Sequence, residues 1–239
     1  MTIALIAANV IAIAAGGSIL GGPTAATIVH YGAIPYEFTH LSSHCDIAAA
    51  GFATSVLCTG QAHVLGAASA QPATWETAFS AMFLHADLLH LAGNMAFLAL
   101  FGRTLEDRIG RLRFLAFYLL GGLVALALQV AASPGSTTPT LGASGAIAAV
   151  LAGYVVLFPR ARVLMAIPIR TVEVPAWLIL VLWLAFDVLL GVFGVSTPFG
   201  GHAGASYYAH FGGFAFGLLA VRAFARGRQP DYGPPPRIA

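Results

Sequence analysis

The chain has 239 residues, of which 59% are hydrophobic and only 8% charged, with a formal net charge of +2 and a mean hydropathy of +0.85. A soluble domain carries about 25% charged residues, so the composition places this chain in lipid. The near-neutral balance, with no basic run and no interleaved aromatic platform, excludes nucleic acid as a partner.

The length allows one compact bundle of helices without a second large domain. The first apolar run, Ile3 to Leu20, is long enough to cross a bilayer, which takes about 20 apolar residues. A cleaved signal peptide is the competing reading, but the residues ahead of the run include no Lys or Arg, as a signal peptide's would. The expectation is a retained first helix.

Pro23 to Glu76 is different material, rich in His, Ser and Thr, with no Arg. It reads as a long structured loop with short interfacial helices on the outer side. Cys45 and Cys58, the only cysteines, lie in it and are able to form a disulfide on an oxidising face. A zinc site built from His40, His44, Cys45, Cys58 and His63 fits no standard spacing, so no metal is expected.

Five further spans follow: Leu88 to Phe101, Phe114 to Ala132, Gly142 to Phe158, Pro175 to Phe193, and Tyr208 to Phe224. The sequence thus predicts an all-α membrane protein, a bundle of six transmembrane helices over residues 1–225. Residues 226–239 form a Pro-rich, polar tail that reads as disordered.

All eleven basic residues are arginine. They fall after spans two and four and at or beyond the end of span six, on one side of the six-span model. The positive-inside rule makes that side cytoplasmic, with both ends inside and the long first loop outside.

Ionisable and strongly polar residues within spans are functional hypotheses by default. Ser144, in Gly142-Ala143-Ser144-Gly145, opens one apolar run and His210 lies near the start of another. The six-span order puts both at similar depth below the outer face, where they are able to meet as nucleophile and general base. The plainer reading is a helix cap and a packed interior histidine. His90 and Asn94, four apart, share one helix face and can donate to a developing oxyanion or act as glue between helices. Asp187 in span five has no partner the sequence can name. Gly213 and Gly217 form a small-xxx-small face that lets two backbones approach.

Together these motifs resemble the rhomboid family of intramembrane serine proteases. The matching pieces are Gly142-Ala143-Ser144-Gly145, Ala209-His210-x-x-Gly213-x-x-x-Gly217, and His85 followed by His90 and Asn94. Glu106-Asp107-Arg108 is similar to the family's Glu-x-Arg element, and Gly32-Ala33-Ile34-Pro35 to a sequence of many bacterial members. The resemblance implies Ser144 as nucleophile and His210 as base. It implies an oxyanion hole of His90, Asn94 and the Ser144 backbone N–H, which suits a helix N-terminus. His85, Gly142, Gly145 and Gly213 would support the site. The implied reaction is hydrolysis of a peptide bond in or beside a transmembrane helix of a protein substrate, with no metal and no cofactor. The implied setting is a bacterial cytoplasmic membrane, with both termini cytoplasmic and the site opening to the outer face.

Two departures from the family pattern stand out. Ala148 occupies the position, four after the serine, where several members place an aromatic ring against the catalytic histidine. Trp75 is followed by Glu76, where some members have Trp-Arg. Two other function classes compete. A non-catalytic rhomboid-like protein binding membrane clients would show loss of the serine or histidine, and neither is lost. A transporter with a proton relay would show an inverted repeat or Gly/Pro-broken helix pairs, and no such duplication is present.

Overall fold

The computed structural model describes residues 1–18, 22–50, 53–61, 71–167, 170–193 and 207–227. The protein is mostly helical. Helix α1 spans Thr2–Ala15 and stops at Gly16, where Gly17–Ser18 (β1) turns back on Gly22–Pro23 (β2). The expected first span through Leu20 is therefore shorter, because the chain folds into this two-residue ladder at the Gly pair. Glu106 ties α1 down, accepting hydrogen bonds from the Met1 amino group and the Thr2 N–H.

The long loop is ordered where described, and only partly helical. It holds α2 (Ala25–Tyr31), capped by the Thr24 hydroxyl, and α3 (Pro35–Thr39), with proline in its first turn. An antiparallel hairpin of β3 (Cys45–Ala50) and β4 (Ala53–Cys58) follows, in the register Cys45↔Cys58, and α4 (Thr74–Ser80) closes the segment. Cys45 is bonded to Cys58. Val29, Ile34 and Tyr36 pack against this pair in a small satellite core.

Among the described residues, three helices are long and apolar enough to cross a membrane: Leu88–Ile109, Arg111–Ala132 and Tyr207–Ala225. The first is built from α5 (Leu88–Phe97), one wide turn at Leu98–Gly102, and α6 (Arg103–Ile109). Asp87 starts it, its carboxylate accepting the His90 N–H at 2.8 Å, and Gly110 at φ +91° ends it. The second is α7 (Arg111–Ala132), about 33 Å long at 1.5 Å per residue, against a hydrocarbon core of about 30 Å. The third is α10 (Tyr207–Ala225).

Between them lie α8 (Ser144–Leu157) and α9 (Ala176–Phe193). Every residue of α8 from Gly145 to Tyr154 is buried, so this helix is the axis of the bundle. Small residues let its neighbours close on it. A Cβ on Gly121 would meet the Ala149 Cβ at 2.6 Å, and one on Gly217 would meet the Ala149 carbonyl oxygen at 2.3 Å. Helix α9, by contrast, exposes Val181, Leu182, Phe186 and Leu189, a lipid-suited face. It is reached through a hairpin of β5 (Arg162–Ile167) and β6 (Arg170–Pro175), in place of the plain connection expected over Pro159 to Val174. The Pro-rich tail beyond residue 227 and His63 lie outside the described residues, as does the Asp187 side chain.

Candidate active site

Ser144 is the first residue of α8, and the cap position before it is Ala143, with no side-chain cap bond. The serine hydroxyl is turned elsewhere. His210, in the first turns of α10, brings its Nε2 to 2.7 Å from Ser144 Oγ. The ring is buried, with 8% of the residue exposed.

The contact follows from how closely α8 and α10 approach. A Cβ on Gly213 would stand 2.0 Å from the Gly145 carbonyl oxygen, and one on Gly145 would stand 2.6 Å from the Ala125 Cβ. Only glycine at these positions permits the observed spacing. The start of α10 is fixed from α7 as well. Buried Gln129 presents Oε1 to the Ala209 N–H at 3.3 Å, satisfying one of the donors a helix N-terminus leaves open.

The segment leading into Ser144 is held by the long loop and by the turn after α4. Ala33 and Thr140 exchange backbone hydrogen bonds of 3.0 and 2.8 Å, Tyr36 N donates to Ser136 O, and Gly142 N donates to Ala81 O at 2.8 Å. The Gly32-Ala33-Ile34-Pro35 stretch is thus a strap across the connection that carries the serine. Gly142 itself adopts φ +115°, a conformation side chains rarely take.

His90 lies on the other side of Gly142. A Cβ there would meet His90 Cε1 at 3.0 Å and Nε2 at 3.1 Å, with Ser144 Oγ at 3.6 Å. The space above the Gly142 Cα is therefore bordered by the imidazole and the serine hydroxyl. Asn94 is buried on the same helix. Among the described residues, His90 Nδ1 and Asn94 Nδ2 are buried without a hydrogen-bond partner. His85, fully buried, sets its ring edge-on to His90 with centroids 5.0 Å apart. A recess of about 30 Å³ opens beside Ser144, lined by residues including Met82, Gly122, Ala125 and Ala209, enough for a water or a methyl-sized group.

The structure brings Ser144, His210, Gly142, Gly145 and Gly213 together and sets His90 and His85 against them. Cys45 and Cys58 lie apart, in the loop core. Among the described residues no cluster of three metal-binding side chains occurs. Sequence reasoning missed Gln129 and Trp183. Gln129 had a legible mark, a lone amide inside an apolar span. Trp183 of α9 places its ring 5.0 Å from that of His210, and nothing in an aromatic-rich run distinguishes it.

Residues 72–227 match the Rhomboid domain. The chain is 30% identical over 168 residues to RHOMBOID-like protein 12, mitochondrial, of Arabidopsis thaliana, covering 64% of this chain and 47% of that protein. It is 32% identical over 142 residues to Presenilin-associated rhomboid-like protein A, mitochondrial, of Danio rerio, covering 58% and 35%. It is 32% identical over 143 residues to Rhomboid protein 1, mitochondrial, of Saccharomyces cerevisiae, covering 57% and 38%. The chain spans less than half the length of each of these relatives. Their mitochondrial names overturn the expectation of a bacterial cytoplasmic membrane with cytoplasmic termini and an outward-facing site. The physical reason is that arginine asymmetry orients a chain within a membrane and says nothing of which membrane it is. The matched domain covers more than half of the chain, which belongs to the rhomboid family.

Proposed function

We propose that the chain is an intramembrane serine endopeptidase acting on peptide bonds in or next to transmembrane helices of membrane proteins. The observation that carries this reading is the 2.7 Å bond between His210 Nε2 and Ser144 Oγ, made inside an apolar bundle. Three helices long and apolar enough to cross a membrane, with the shorter apolar helices α1, α8 and α9 beside them among the described residues, are consistent with six crossings in this proposal.

In this reaction His210, neutral, takes the proton of Ser144 as Oγ attacks the substrate carbonyl. The carbonyl oxygen becomes an oxyanion beside Gly142, where His90, Asn94 and the Ser144 backbone N–H donate to it. His210 then returns the proton to the leaving amine, and the acyl group remains on Ser144. Water, activated by the same imidazole, releases it and restores the serine. The recess beside Ser144 suits a small substrate side chain. The mitochondrial relatives point to a mitochondrial membrane as the setting. Purified chain in proteoliposomes with a transmembrane reporter tests the activity. Cleavage that is lost in Ser144→Ala, with that variant still inserted and folded, is the expected result. Equal cleavage by both proteins would reject it.

A further inference from the structure

A general base must be held as well as placed. The imidazole turns about a broad, roughly two-fold torsion, so a ring packed against its face helps to set its plane. Helix α8, which supplies the serine, offers no ring for this: Ala148, one turn further on, is fully buried and ends at its methyl group. A ring contact comes from α9. The Trp183 ring lies 5.0 Å from the His210 ring at an interplanar angle of 53°. Trp183 also meets Phe97 of α5, with centroids 6.3 Å apart and planes inclined at 54°. The indole therefore contacts both a phenyl ring and the imidazole, and residues of three helices meet in one aromatic cluster.

We propose that Trp183 is a positioning residue for this reaction, setting the His210 ring in the plane that engages Ser144. The proposal rests on the serine protease reading. It also explains how the site tolerates alanine at position 148, because the ring that steadies the base is supplied by α9 instead of α8. Misplacing a reacting group by about 1 Å costs on the order of 10²-fold in rate, so a small loss of packing is enough to be measured.

The test compares Trp183→Leu, which keeps apolar bulk without a ring, with Trp183→Phe, which keeps a ring. Turnover of a membrane reporter, its KM, the rate of Ser144 labelling by a fluorophosphonate and the thermal midpoint are measured on the full chain in detergent. The expected result for Trp183→Leu is a fall of about 10²-fold in both kcat and labelling rate, with KM and the midpoint unchanged. Trp183→Phe is expected to recover most of that loss. Wild-type kcat in Trp183→Leu, or an equal loss in both variants that follows loss of folded protein, would overturn the proposal. Should wild type and Ser144→Ala prove equally unreactive, the protease reading fails, and the packing claim is then judged by NMR of the His210 ring. Ring protons displaced by the indole's ring current, and moved in Trp183→Leu, support the contact. Unmoved signals refute it.

Discussion

Gly213 rests directly on the backbone of Gly145, so closely that a side-chain carbon on Gly213 would stand 2.0 Å from the Gly145 carbonyl oxygen. That approach is what lets a serine on α8 and a histidine on α10 share a proton. Gly213→Ala forces the helices apart, and overpacking of this kind typically costs about 1–3 kcal/mol. Thermal unfolding in detergent is expected to show that loss, and reporter cleavage to fall further than the loss of folded protein explains. Gly93 provides the control, since a Cβ there meets nothing within 4 Å. Gly93→Ala is expected to keep activity and to gain stability, by up to about 1 kcal/mol from helix propensity.

The role of Asn94 separates an oxyanion donor from interhelical glue. Loss of a preorganised donor costs about 10²–10³ in turnover. A lost membrane hydrogen bond costs only about 0.6 kcal/mol of stability on average. Asn94→Ala is therefore expected to cut turnover per folded molecule while leaving the thermal midpoint nearly unchanged and Ser144 still open to a reactive phosphonate. Lowered stability with turnover per folded molecule intact would assign Asn94 to packing.

Much of this was legible in the sequence because lipid makes polar residues conspicuous. Ser144, His90, Asn94 and His210 stand out in apolar runs, and the order of the runs sets the serine and histidine at similar depth. Trp183 was illegible for the converse reason, since an aromatic in an apolar helix looks the same whether it faces lipid or a base. The strap from Ala33 to Thr140 was hidden as well. It is made of backbone hydrogen bonds, which leave no trace in residue identity. The β3–β4 hairpin was missed because alanine-rich β3 and the mixed β4 lack the alternation of a half-buried strand, and the pairing of Cys45 with Cys58 organises it from outside the local pattern.

The bond between Cys45 and Cys58 closes a loop with a sequence separation of 13. A crosslink of this kind typically stabilises a fold by about 2–4 kcal/mol. Native protein under non-reducing conditions is expected to show no alkylatable thiol by mass spectrometry. Reductant should lower the thermal midpoint of wild type and not that of the Cys45→Ser, Cys58→Ser double variant. Two alkylatable thiols in native protein would contradict the bridge.

Glu37 links this loop to pH. Its carboxylate accepts the Cys45 N–H at 2.7 Å. Burial raises its pKa above the ordinary carboxylate range, opposed by that hydrogen bond and by nearby His44. A raised pKa in the fold gives a contribution that is full below the unfolded pKa and lost as pH rises through the folded value. Glu37→Gln retains an oxygen for the Cys45 N–H and cannot ionise. Its thermal midpoint is expected to exceed that of wild type at neutral pH, with the gap closing on acidification. A wild type that gains on Glu37→Gln as pH rises would show that the hydrogen bond outweighs burial.

The central claim is that Ser144 is a nucleophile activated by His210, and covalent labelling tests it most directly. Full-length chain in detergent or bilayers is treated with a fluorophosphonate, digested, and mapped by mass spectrometry. One adduct is expected, on Ser144, absent from Ser144→Ala and strongly reduced in His210→Ala, because residues acting as a unit lose activity together. Labelling of Ser144 that is unchanged in His210→Ala, or no labelling of Ser144 in a folded, inserted wild type, would contradict the account.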